Sequence, residues 1–356
     1  MLNRRAFVRD TATAIGGAIV APPLVSAVAA AMQSGGTAPR RQVVVGGRRV
    51  KTVDVHAHCV VPGVGGTRGQ APPGNPQMTL GPERLKQMDA QGIDVEVLSI
   101  NPSWYALDRD AARALIQRQN EGLAEMCAAQ ADRFVGLATV SLQHPDLAAE
   151  QLEIGVKRLG LHGASVGASI NGEELASPRF DPFWAKAQEL GAGIFIHPQG
   201  VPELQTRLRG SGLLTNVIGN PLDTTIALSR LIFEGTLDRF PELKLCAAHG
   251  GGYLPSYADR SDHGCVTFPD QCNRTLKKRP TEYLKNLYFD SLVFTGEALR
   301  HLVAVAGASQ IMLGTDYPFP WTATAVDHIV GAPGLSDADR IAMLGGNAAR
   351  LFRISA

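Results

Sequence analysis

Apolar residues along this chain fall into eight short runs of strand character, separated by longer stretches of helical periodicity. The runs are 53–57 (VDVHA), 94–100 (DVEVLSI), 135–140 (VGLATV), 160–165 (GLHGAS), 193–197 (GIFIH), 244–248 (KLCAA), 287–291 (LYFDS) and 310–315 (QIMLGT). Between them, 82–92, 109–130, 146–159, 180–190, 220–240 and 295–307 mostly space their apolar positions as helices with one buried face do. Pro145 and Pro178 sit near helix starts. Ahead of the first run, two β-branched segments flank Gly46-Gly47, which predicts a short N-terminal hairpin. Strands alternating with helices predict an α/β fold, and eight repeats predict a closed (β/α)8 TIM barrel. A doubly wound open sheet is the alternative. It needs an early Gly-rich phosphate turn to bind a nucleotide, and the first strand here ends in His-x-His instead.

The polar residues that end these runs carry the chemistry. His56 and His58 end the first, His197 the fifth, His249 follows the sixth and Asp316 the eighth. Residues two apart in a strand share a side, so His56 and His58 project together. In a closed barrel the eighth strand returns beside the first, which brings Asp316 to the His pair. Three neutral imidazoles and one carboxylate suit a borderline divalent ion such as Zn2+ with a position left open. That assigns His56, His58, His197 and Asp316 as ligands. His249 is then free for acid–base work, since an imidazole titrates near neutrality. His144, His162 and His301 read as structural. The fourth run holds no lysine, Lys157 lying in the preceding helix, so no bridging carboxylated lysine is expected and one ion is favoured over two. The long Gly- and Pro-rich segment 61–80 reads as a loop on the same face, over the substrate. Trp104, Tyr105, Tyr253, Phe319 and Trp321 fall in strand-end loops and are candidates to sandwich a planar acid.

Composition narrows the partners. The net charge is +1 over 356 residues, which implies no basic surface and excludes nucleic acid as an expected partner. The first 31 residues are set apart from the fold: paired Arg4 and Arg5, then Phe7, an uncharged stretch, and small residues at Ala27, Ala29 and Ala31 resemble a twin-arginine export signal. Pro22 and Pro23 interrupt the apolar run and disfavour a spanning helix. The expectation is a signal peptide at 1–31, a linker at 32–41, one domain at 42–356, and a periplasmic or exported protein with no membrane attachment once the signal is removed. Five cysteines show no framework spacing, although Cys265 and Cys272 are close enough for a loop disulfide in an oxidising compartment.

These motifs together resemble the amidohydrolase superfamily, and most closely its amidohydrolase-2 branch of the aminocarboxymuconate-semialdehyde decarboxylase type. The resemblance runs from about residue 52 to 354 and rests on DVHAH, QMDAQGIDVEVLS at 87–99, the HP pair at 197–198, HGGGYLPSYADR at 249–260, LGTDYPFP at 313–320 and GGNAARLF at 345–352. It implies zinc on His56, His58, His197 and Asp316, acid–base work by His249 with Asp316 in the catalytic centre, and a homodimer. It also implies that Arg260 grips the carboxylate of a small-molecule acid, in some members across a dimer interface. Gln199 stands where the type enzyme has an aromatic residue, and the first loop holds Arg68 without the type enzyme's arginine segment, so carboxylate recognition is expected to differ. The implied activity is non-oxidative decarboxylation of an unsaturated or aromatic carboxylic acid. The alternative on the same site is hydrolysis of an amide, ester or lactone by a metal-activated water.

Overall fold

The structure is a computed structural model that describes residues 39–64, 76–210, 212–272 and 276–355. The expected signal peptide, most of the linker, and the loop segment 65–75 with Arg68 lie outside the described residues. From Arg40 to Ala356 the chain forms one compact unit. Among the described residues no helix is long and apolar enough to cross a membrane.

All eight strand runs form strands: β1 (Val53–His58), β2 (Val95–Ser99), β3 (Phe134–Gly136 continued by Ala138–Thr139), β4 (Gly163–Gly167), β5 (Gly193–His197), β6 (Lys244–Ala247), β7 (Tyr288–Asp290) and β8 (Ile311–Met312). The predicted hairpin pairs Val44–Val45 with Arg48–Arg49. Every neighbouring pair of barrel strands is parallel, from Val53 opposite Val95 to Phe289 opposite Ile311. Closure is made by main-chain bonds between the first and last strands. Val55 N–H donates to the Leu313 carbonyl at 2.9 Å, Asp316 N–H to His56 at 2.8 Å and His58 N–H to Tyr317 at 2.7 Å. The open sheet is thereby excluded.

Helices α1 (Pro82–Gln91), α2 (Arg109–Ala128), α3 (Pro145–Lys157), α4 (Asp181–Leu190), α5 (Gly219–Phe233), α6 (Leu254–Thr267) and α7 (Gly296–Ala306) follow the first seven strands in turn. Local signals fix their ends. Asp108 caps α2 by accepting from Ala111 N–H at 2.9 Å, and α1 starts on Pro82 and stops at Gly92, which is left-handed at φ 76°. Two apolar layers result. One joins strand and helix faces around the outside of the barrel; the other fills its interior with Val53, Val55, Val95, Val97, Phe195 and Met312. A last helix, α8 (Asn347–Phe352), packs Leu351 and Phe352 into that interior layer.

One local irregularity decides how the site is built. The β1–β2 register shifts between Asp54 and Ala57, a β-bulge. Val55 joins the interior cluster, Ala57 the outer one, and His58 lies opposite Ser99. The bulge re-aims the end of β1 so that His56 and His58 enter the mouth together, a use of bulges typical next to active sites.

Candidate metal centre

The five strand-end residues arrive from the ends of four strands, and their side chains meet. One donor atom each from His56, His197, His249 and Asp316 lie within 4.8 Å of one another. His58 joins them: its Nε2 is 3.2 Å from His56 Nε2 and 2.9 Å from Asp316 Oδ1. His56 Nε2 is 3.1 Å from the same Asp316 oxygen, and His249 Nε2 is 3.5 Å from Asp316 Oδ2. The ring centroids of His56 and His58 stand 5.2 Å and 4.7 Å from that of His197.

The donor set fits a divalent ion. Atoms each about 2.0–2.1 Å from one ion, at roughly tetrahedral or octahedral angles, stand about 2.8–3.4 Å apart. The three contacts among His56, His58 and Asp316 match that spacing. Nδ1 of His197 and Nδ1 of His249 are buried without a hydrogen-bond partner, so these rings are not used up in structural bonds. His56 and His58 are fully enclosed, whereas the His249 side chain keeps 15% of its surface exposed. His249 therefore lies within ligand reach and also faces solvent.

The surrounding structure holds the ligands in register. His58 Nδ1 meets Ser99 Oγ at 3.2 Å. Arg84, buried and paired with Glu96 at 2.6 Å, donates to the His58 carbonyl at 2.8 Å and lays its guanidinium 4.6 Å from the centre of the Tyr317 ring. Asp54 accepts from His56 N–H at 2.9 Å and from Thr315 N–H at 3.1 Å, which ties the first strand to the last. Asp290, at the end of β7, accepts from His56 Nδ1 at 2.6 Å. Gly314 leaves room for that contact: a Cβ there would stand 2.7 Å from Asp290 Cβ and 3.2 Å from His56 Cβ.

Two of the five residues hold strained backbones. His249 has φ 55° and Asp316 φ 62°, left-handed values that cost roughly 1–3 kcal/mol for non-glycine residues and collect at functional sites. The glycines after His249 have the same origin, since Gly250, Gly251 and Gly252 are all left-handed and a Cβ on Gly252 would meet the Pro221 carbonyl at 2.1 Å.

Electrostatics follow from crowding. Burial pulls His56 down, but Asp316 and Asp290 outweigh it and raise its pKa to about 10. Burial lowers His58 to about 4 and takes His197 well below its ordinary value, with the neighbouring imidazoles adding to the fall of His197. Burial alone would raise Asp316, yet the charge of His56 and hydrogen bonds from His249, His56 and His58 hold it far below the carboxylate range. A proton on His56 thus occupies the place an ion takes. Below pH about 10 an entering ion must displace it, so affinity rises with pH. We expect the apparent Kd to fall about tenfold per unit across neutrality, with about one proton released per ion bound. Calorimetry in buffers of different ionisation enthalpy reads this; a flat affinity with no proton release contradicts it.

Beside His249 opens a cavity of about 190 Å3 whose wall includes Asn216, Asn220, Tyr253, Phe294 and Trp321. Of the five aromatic candidates, Tyr253 and Trp321 line it. Phe319 sits at the mouth, its ring 5.7 Å from that of His58. Trp104 and Tyr105 do not reach the cavity: both are buried, Trp104 donating to the Val140 carbonyl and the Tyr105 hydroxyl accepting from Gly167 N–H. Arg260 is exposed on α6 and is not among the residues around this cavity. Gln199 donates to the Pro102 carbonyl, and its N–H to Asp223. Sequence reasoning passed over Asp290, Ser99 and Asp54. Asp290 had the same signature as the residues it did select, a polar group at the C-terminal end of a barrel strand.

Comparison with known proteins bears on the family and the fold. A protein family described as Amidohydrolase matches residues 53–354. A 2-amino-3-carboxymuconate-6-semialdehyde decarboxylase from Dictyostelium discoideum is 33% identical over 270 residues, covering 74% of each chain. A gamma-resorcylate decarboxylase from Rhodococcus jostii is 32% identical over 286 residues, covering 76% of this chain and 87% of that protein. Among solved structures, a dihydroxybenzoic acid decarboxylase from Polaromonas with bound manganese and the inhibitor 2-nitroresorcinol superposes with a TM-score of 0.77 at 27% identity, over 85% of this chain and 97% of that one.

Proposed function

This chain belongs to the amidohydrolase family, and from that membership we propose a metal-dependent carbon–carbon lyase that removes carbon dioxide, without oxidation, from an unsaturated or aromatic carboxylic acid. The observation that carries the reading is the meeting of His56, His197, His249 and Asp316 donors within 4.8 Å of one another, with His58 Nε2 against His56 and Asp316, beside an aromatic-walled cavity onto which His249 opens. The decarboxylase relatives supply the reaction type.

A divalent ion, which His56, His58, His197 and Asp316 would hold, would supply positive charge to bind and polarise an anionic substrate. The protein supplies the rest. Tyr253, Phe294 and Trp321 hold the planar acid, and Asn216 and Asn220 offer amides to its polar substituents. His249, with Asp316 Oδ2 as its neighbour, delivers a proton to the carbon that bears the carboxylate. The bond from that carbon to the carboxylate then breaks, its electron pair returns to the unsaturated system, and carbon dioxide leaves. The test is a panel of hydroxybenzoates, unsaturated acids and lactones with the metal-loaded protein. Carbon dioxide release from an acid is the expected result. Turnover of lactones, esters or amides without gas release would replace the lyase with a hydrolase.

Zinc is the metal we propose, because three imidazoles with one carboxylate suit it better than manganese. The manganese-bound relative argues the other way. Metal analysis of protein purified without added metal decides between them.

Arg260 is proposed as the carboxylate anchor, presented to a second copy in a homodimer. Its exposure on α6 and its separation from this chain's own cavity agree with that placement. Arg260→Ala should raise KM for an acidic substrate about 10–100-fold with a smaller change in kcat, about 1.4–2.7 kcal/mol, which reaches the lower end of the roughly 2–5 kcal/mol of a desolvated charge pair. An unchanged KM discards it as an anchor. Export to an oxidising compartment is also proposed. The Cys265–Cys272 disulfide, which ties the end of α6 to the following turn, supports it.

A further inference from the structure

We propose that Asp290 is a positioning residue that couples the two halves of the centre, fixing the ring of the ligand His56 and the backbone of the proton-handling His249 with one carboxylate. The assignment of roles to His56 and His249 rests on the reading above; the coupling rests on geometry alone.

Asp290 is fully buried and its two oxygens take four bonds. Oδ2 accepts from His56 Nδ1 at 2.6 Å and from His249 N–H at 2.8 Å. Oδ1 accepts from Gly250 N–H at 2.7 Å and from Leu292 N–H at 3.1 Å. The first bond decides a tautomer. With Nδ1 donating to a carboxylate, the His56 Nε2 lone pair is left for the cluster with His58 and Asp316. The next two hold a turn that would otherwise open. His249 and Gly250 are consecutive left-handed residues, φ 55° and 61°, and their N–H groups converge on the same carboxylate. Such a pair of main-chain donors forms a concave nest for an anion. The anion here is a side chain of the neighbouring strand, so the His249 turn is pinned to the strand that also orients His56.

A carboxylate is required because all four partners donate. An amide has one accepting and one donating end, so Asp290→Asn sets its NH2 against two donors whichever way it turns. Facing His56, the NH2 forces the proton onto Nε2 and removes the lone pair the ion needs. Facing Gly250 and Leu292, it pushes the His249 turn away.

The test is Asp290→Asn, with folding confirmed by circular dichroism and a cooperative melt. Affinity for Mn2+ and for Zn2+, each as the free metal, should fall about 10–100-fold. At saturating metal, kcat should stay at least about tenfold low with KM nearly unchanged, and the 15N shifts of the His249 ring in the Zn2+-loaded protein should move. A folded variant with native affinity and native His249 shifts overturns the proposal. Reduced affinity with kcat and His249 shifts restored at saturating metal also overturns it, since Asp290 would then serve His56 alone. If the wild-type protein releases no carbon dioxide, the functional reading fails, while affinity and His249 shifts still decide the coupling. If Asp290→Asn does not fold, Gly314→Ala presses a Cβ against Asp290 at 2.7 Å and also nears His56 at 3.2 Å, with the carboxylate retained; the His249 shifts, which a direct push on His56 would not move, should change along with affinity, and native His249 shifts there overturn the proposal.

Discussion

His249→Ala should lower kcat by about 10²–10⁴-fold while the metal content stays nearly unchanged. Two features of the site separate this histidine from His56 and His58. It keeps contact with the cavity, at 15% side-chain exposure, where His56 and His58 are enclosed. It also stands farther from the Asp316 carboxylate, at 3.5 Å against 3.1 Å and 2.9 Å for His56 and His58. A ring so placed can reach a substrate carbon, and its removal leaves three imidazoles and a carboxylate to hold the ion. The measurement is turnover at saturating metal together with elemental analysis of the same sample. Because His249 also offers a donor atom to the cluster, the outcome is informative in both directions. Loss of the metal in this variant makes His249 a ligand and moves the proton to another group.

Asp316→Asn should weaken metal binding by at least the about 10–100-fold that loss of a supporting partner costs, and turnover should fall with it. Asp316 brings the one carboxylate of the cluster and meets three imidazoles at once. Asparagine keeps the shape and tolerates the left-handed backbone at φ 62° better than most residues, so the change isolates the charge. The raised pKa of His56 depends first on Asp316 among the groups that raise it. In the variant the competing proton is held less tightly, and the pH dependence of metal binding should flatten. Unchanged affinity, measured calorimetrically, contradicts the assignment of Asp316 as a ligand.

The eight strands and the five residues at their ends were legible because each rests on a short-range signal. A β-branched run with a polar residue at its C-terminal end needs no knowledge of distant parts of the chain. The meeting of Asp316 with the His pair followed from barrel closure, and the bonds from Val55, His58 and Asp316 across the seam supply it. What stayed hidden depends on which way a side chain turns. Trp104 and Tyr105 sit in a loop at the mouth, as expected, but bury themselves against the main chain of Val140 and Gly167. Strict alternation would also have set His56 and His58 by period two alone, whereas a bulge at Asp54–Ala57 does part of that work. Asp290 was in plain view in LYFDS. Its role appears only once the His249 turn folds back onto it, and that turn is set by left-handed torsions that no apolar pattern encodes.

The most direct test is a crystal of the metal-loaded protein measured above and below the absorption edge of the added ion. One anomalous peak enclosed by His56, His58, His197 and Asp316, with His249 at the cavity wall, is the expected result. A peak elsewhere, or none between the Asp316 carboxylate and the two imidazoles of β1, would contradict a metal centre at the barrel mouth and the chemistry built on it.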